Sequence, residues 1–119
     1  VPALSEKLTA KASTLSGGQR QMLALAMALA KKPSVLLMDE PSAGLSPKVA
    51  EEVLIFTKSL TNHQVTILLV EQNVKQALAV ADYCYIFAEG RNQFDETAKK
   101  LIGNPLVSEI FMGSKRVTI

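Results

Sequence analysis

A chain of 119 residues, with 48% hydrophobic and 20% charged side chains, is long enough for one compact domain and too short for two. Its formal charge of +2 is too small to argue for nucleic acid or an anionic membrane as partner. The single cysteine, Cys84, excludes an intramolecular disulfide and suits a reducing compartment, and no uncharged run approaches the ~20 residues of a membrane span.

Residues 1–13 hold Leu4 and Leu8 with Lys7 and Lys11, a short, weakly amphipathic piece that reads as the tail of a helix. The chain opens on Val-Pro-Ala without an initiator Met, as in a fragment or a trimmed chain. Residues 14–18 form a turn of small residues. Residues 19–32 predict a helix rich in Ala, Leu and Met, apolar nearly all round and so buried between other elements, with Lys31 and Lys32 in its last turn and Pro33 as its stop. Residues 34–39 are a short apolar run ending in Asp39, hence a strand. Ser46-Pro47 marks the start of a helix that runs to about Leu60, with Val49, Val53, Phe56 and Leu60 on one face.

Asn62, His63 and Gln64 read as a loop. The continuous apolar run 65–70 predicts a parallel strand buried on both faces. Asn73 caps a helix over 74–81, and 83–88 is a third strand in which Cys84 is a buried thiol. Glu89-Gly90-Arg91 predicts a hairpin turn into 92–95. Two short helices follow, at 97–102 and 106–112. The alternation of helix and strand implies an α/β fold, a mainly parallel sheet flanked by helices with a terminal antiparallel hairpin and short C-terminal helices.

Two stretches carry chemistry. At Leu15-Ser16-Gly17-Gly18-Gln19 a helix begins, and the unpaired N–H groups and positive dipole end of a helix start attract phosphate. Gly17 and Gly18 lack Cβ atoms, which lets an anion approach the backbone, and Ser16 adds a hydroxyl donor. At the end of the next strand stand Asp39 and Glu40. One carboxylate there can hold Mg²⁺ through water and a second can deprotonate an attacking water. Alternation along a strand would send the two side chains to opposite sides. The helix runs down and the strand returns, so helix start and strand end lie at the carboxyl edge of the sheet, where ligands bind in open α/β folds.

Taken together, Leu15 to Gln19 resembles the signature motif of ATP-binding-cassette ATPases, and Val35 to Glu40 resembles their Walker B strand. Ala43 to Ser46 falls where their D-loop stands and Leu69 to Asn73 at their switch loop. The resemblance implies a P-loop NTPase core over residues 14–119, with 1–13 the tail of the helical subdomain. It implies ATP and Mg²⁺ as ligands, Asp39 holding the metal through water, and Glu40 as catalytic base with Gln72 at the switch. Leu15, Ser16, Gly17, Gly18 and Gln19 would contact ATP held by a second ATPase subunit. It also implies transmembrane permease subunits and, through them, a substrate-binding protein as partners, a cytoplasmic location on the inner face of the membrane, and no nucleic acid.

Three departures qualify it. The family's switch His is replaced by Gln72, which carries no proton titrating near neutrality. Ser46 stands where the D-loop usually has Asp. The six glycines are followed by Gly18, Gln19, Leu45, Arg91, Asn104 and Ser114, never by the Lys of a phosphate-binding loop. The chain therefore resembles the C-terminal half of such an ATPase, and alone it is expected neither to bind ATP tightly nor to hydrolyse it. The Glu71-Gln72-Asn73 switch and the ending Asn104-Pro105 through Phe111-Met112-Gly113 resemble the ATPase subunits of branched-chain amino-acid importers. The lipopolysaccharide-export ATPase is the alternative and keeps a switch His. A soluble cassette acting on nucleic acid or the ribosome would carry coiled coils or charged insertions that are not seen here.

Overall fold

The computed structural model describes residues 2–105. The predicted helix at 106–112 lies outside them. The chain divides into two compact units, Val1–Leu68 and Leu69–Ile119.

In the first unit, residues Pro2–Lys7 and Ala12–Thr14 are short 3-10 turns rather than the end of an α-helix. Helix α1 spans Gly17–Leu29. It starts two residues earlier than expected because Ser16 and Gln19 form a reciprocal capping box, Gln19 N–H to Ser16 Oγ at 3.2 Å and Ser16 N–H to Gln19 Oε1 at 3.0 Å. It also ends before Lys31 and Lys32, so these do not sit in its last turn. Lys32 precedes Pro33, which disfavours right-handed helical backbone at the residue before it, and Lys32 turns left-handed at φ +50°. The helix buries one side, through Gly18, Met22 and Leu25, and leaves Met27 65% exposed, so it is not enclosed all round.

Strand β1, Val35–Asp39, follows after residues 30–34, and helix α2 covers Pro47–Ser59. Leu60–His63 closes as a 3-10 turn instead of a loop. Strand β2, Thr66–Val70, pairs with β1. The Thr66 N–H donates to the Ser34 carbonyl at 2.9 Å, which sets the two strand starts side by side and makes the pair parallel. Leu25, Leu36 and Leu60 form the core, with Met38, Phe56, Val65 and Ile67 against them. Both α1 and α2 therefore cover the same side of the sheet. Burial on both sides was expected, but the other side, with Val35, Leu37 and Leu68, stays exposed.

In the second unit, helix α3 (Val74–Val80) is capped as expected, Asn73 Oδ1 accepting from the Gln76 N–H at 3.1 Å. Strand β3 (Tyr83–Ala88) and strand β4 (Arg91–Thr97) form an antiparallel hairpin, and helix α4 spans Ala98–Ile102. Glu89 and Gly90 are both left-handed, at φ +53° and +73°, the pattern that matches a two-residue turn to strand twist. Cys84 and Ile86 point from β3 into a core made with Val74, Leu78, Ala98 and Leu101.

On the outer face of the hairpin, Tyr83 OH donates to Asp95 Oδ1 at 2.5 Å, and Asn92 Nδ2 to Asp95 Oδ2 at 2.9 Å. The hydrogen bond to Asp95 pushes the Tyr83 phenol up to about 12, while the bonds from Tyr83 and Asn92 hold the Asp95 carboxyl below its usual range. A depressed carboxyl contributes stability above its unfolded pKa of about 3.9 and loses it as pH falls through the folded value. The raised phenol contributes below about 10 and loses it as pH climbs through about 12. Tyr83→Phe is expected to let the Asp95 titration move up toward an ordinary aspartate, read by NMR of its carboxyl carbon. An unmoved titration would show that the hydroxyl does not hold it.

Candidate functional site

The site grows from the first turn of α1. Ser16 spends one lone pair of its hydroxyl on the Gln19 N–H, which leaves the hydroxyl proton to be donated outward. Arg20 reaches back, its Nη1 donating to the Leu15 carbonyl at 2.7 Å, and so pins the buried Leu15 at the helix entry. The first intrahelical bond of this turn runs from the Arg20 N–H to the Ser16 carbonyl at 2.9 Å. The N–H groups of Gly17 and Gly18 precede it and face out of the helix end, where the dipole favours an anion.

The two glycines differ in a way their sequence did not reveal. A Cβ on Gly17 would come 3.1 Å from Leu45 Cδ2, the mobile tip of a side chain. A Cβ on Gly18 would overlap Val49 Cγ1. Gly18 is thus buried where the first turns of α1 and α2 touch, and its missing side chain makes room for a helix contact. Two helix N-termini therefore lie together at this end of the unit.

The end of β1 arrives at the same place. The helix α1 and the strand are joined by residues 30–34 and both line a groove of about 170 Å³, with Gln21, Ala24 and Ala28 on one wall and Leu36, Asp39 and Pro41 on the other. They run antiparallel side by side, so the start of α1 and the acidic end of β1 share one end of the unit. The groove is smaller than the roughly 300 Å³ of a small-molecule pocket, so it is a seam between helix and strand and not a nucleotide cavity.

Asp39 is the last residue of β1 and is exposed. Glu40 is not a further strand residue. It takes φ +45°, and its carbonyl closes a turn with the Ala43 N–H at 3.0 Å, while Pro41 behind it is buried. The left-handed kink takes Glu40 out of the strand, so strand alternation does not set the direction of its carboxylate relative to Asp39. A non-glycine residue in that region costs of order 1–3 kcal/mol, and such residues gather at functional sites. The Glu-Pro pair was the only hint of it in the sequence. Ser46 is the N-cap residue of α2, yet its side chain makes no capping bond, so the hydroxyl is not consumed by the helix.

In the second unit, Gln72 is exposed directly after β2, between buried Glu71 and the capping Asn73. Among the described residues no group of three or more His, Cys, Asp or Glu could hold a metal. A lone exposed carboxylate at Asp39 suits Mg²⁺, which keeps most of its waters and needs one or two carboxylates beside phosphate oxygens. No helix among the described residues is long and apolar enough to cross a membrane.

The family model described as ABC transporter matches residues 2–43. The chain is 47% identical over 115 residues to the probable branched-chain amino acid transport ATP-binding protein LivF of Archaeoglobus fulgidus, covering 94% of this chain and 48% of that protein. It is 42% identical over 112 residues to the high-affinity branched-chain amino acid transport ATP-binding protein BraG of Pseudomonas aeruginosa, again 94% of this chain and 48% of that one. Among solved structures it superposes with a TM-score of 0.80, at 29% identity, on the ADP conformation of MJ1267, an ATP-binding cassette of an ABC transporter, covering 94% of this chain and 46% of that chain. The chain spans about half the length of the curated relatives it matches, and it belongs to the ATP-binding-cassette ATPases of ABC transporters.

Proposed function

We propose that the chain forms the signature-motif half of the ATP-hydrolysing subunit of an importer of the branched-chain amino-acid type. The observation that carries this is the shared end of the first unit, where the capped, phosphate-ready start of α1 meets the acid-tipped end of β1. In this reading Glu40 takes the proton of the attacking water, and Gln72 orients the reacting phosphate as a hydrogen-bond donor in place of the usual His. Asp39 holds Mg²⁺ through water; that ion, when bound, neutralises phosphate charge. Ser16, Gly17 and Gly18 present a hydroxyl proton and amide groups to ATP carried by a second ATPase subunit in a head-to-tail dimer, Gln19 fixes the Ser16 hydroxyl, and Leu15 anchors the turn.

Residues 1–13 belong, on this reading, to the helical subdomain and 14–119 to the ATP-binding core. The partners are the second ATPase subunit and transmembrane permease subunits, with a substrate-binding protein acting through the permease, and the subunit works on the cytoplasmic face of the membrane. The amino-acid class follows from the names of LivF and BraG together with the Glu71-Gln72-Asn73 switch.

The test is Ser16→Arg in the cassette completed with its phosphate-loop half. A guanidinium in place of a small hydroxyl should abolish ATP-driven dimerisation, followed by light scattering, and reduce hydrolysis by about tenfold or more. Dimerisation and turnover equal to those of the unaltered protein would reject the assigned role of the α1 start.

A further inference from the structure

The first turn of α1 is the part of that helix least able to hold itself. Gly17 and Gly18 stand side by side in it, and only proline resists a helix more than glycine does. The turn closes through Gln19 N–H to Ser16 Oγ at 3.2 Å and Arg20 N–H to the Ser16 carbonyl at 2.9 Å. Ser16 and Arg20 are exposed, and helix ends of this kind fray.

Two side chains from beside and within the first turn of α2 rest on these glycines. Leu45, ahead of α2, reaches Gly17 only with the tip of a flexible side chain. Val49, in the first turn of α2, seats Cγ1 where a Gly18 Cβ would stand. Val49 is branched at Cβ and stiff about χ1, and the residues that follow it, Ala50, Val53 and Leu54, are buried. On the α2 side the contact is rigid, and on the α1 side it meets the compliant glycine turn.

We propose that Val49 is a positioning residue for the ATP contact. Seated on Gly18, it keeps the first turn of α1 closed, and so keeps the Ser16 hydroxyl and the Gly17 and Gly18 amides in place. This rests on the reading of that turn as the contact to ATP carried by a second subunit. A turn that is closed for part of the time binds in proportion to its closed fraction. Loss of the Val49 contact therefore weakens assembly and leaves the rate of the assembled dimer alone.

The test is Val49→Ala in the completed cassette, with Val49→Ile, which keeps both branches at Cβ, as the conservative variant. Amide exchange without nucleotide, followed by NMR, should show the protection of Gln19 and Arg20 falling roughly fivefold or more. Ala50, whose N–H donates to the Ser46 carbonyl at 2.9 Å in the first turn of α2, should keep its protection. ATP-driven dimerisation should need roughly fivefold more subunit, with turnover of the saturated dimer within about twofold of the unaltered protein. Val49→Ile should restore both the protection and the assembly. Unchanged protection at Gln19 and Arg20 would overturn the proposal, as would equal loss at Ala50, which marks general loosening. Freed amides with unchanged dimerisation would also overturn it where Ser16→Arg blocks dimerisation. If Ser16→Arg fails to block it too, the ATP reading of the turn falls, while the amide result still supports the hold of Val49 on that turn.

Discussion

Glu40→Gln in the completed cassette is expected to leave nucleotide binding nearly unchanged and to slow hydrolysis by about 10² to 10⁴-fold, the range a positioned general base contributes. Gln keeps the length and shape of the side chain and loses its negative charge and with it the ability to take a proton. It is also no better suited than Glu to the left-handed backbone at φ +45°, so the local strain is common to both proteins and cancels in the comparison. Steady-state phosphate release and binding of a fluorescent ATP analogue measure the two quantities separately. A rate within twofold of the unaltered enzyme, about 0.4 kcal/mol in barrier, would remove Glu40 from the role of base.

The second large effect is expected at Gly18. An added methyl overlaps Val49 Cγ1, and Val is stiff about χ1, so α1 and α2 must move apart. Overpacking of this kind costs about 1–3 kcal/mol, against a gain of roughly 1 kcal/mol from replacing Gly by Ala in a helix. A net loss of up to about 2 kcal/mol should lower the thermal midpoint by several degrees. Gly17→Ala meets only the tip of Leu45 at 3.1 Å and should change stability little. Val49→Ala in the Gly18→Ala background should recover most of the loss, because it removes the atom that clashes. A double variant as unstable as Gly18→Ala alone would place the cost elsewhere.

Much of this was legible in the residues. Ser-x-x-Gln before an apolar helix is a capping box whether or not Gly-Gly stands inside it, and Asn73 before Val74 reads directly as a cap. Strand positions follow from short apolar runs, and the Asp39 strand end and its meeting with the start of α1 follow from a helix and strand joined by a short connection. What escaped was set by contacts with residues distant in sequence. Gly18 looks like an open approach for an anion until Val49 is seen against it. The run 65–70 looks doubly buried because every residue but Thr66 is apolar. Which side is covered depends on where α1 and α2 pack, and both take the Leu36 side. Strand alternation gives the side of Glu40 only if the strand continues through it, and Pro41 hints that it does not while leaving the left-handed sense unstated.

Cys84 offers a practical return. Its sulfur is walled in by the hairpin, α3 and α4, and burial pushes the thiol up, away from its reactive anion. A maleimide can modify it only in molecules whose second unit has momentarily come apart. With one cysteine in the sequence, the pace of adduct formation counts those openings without any introduced label, and the chain carries its own clock for local unfolding.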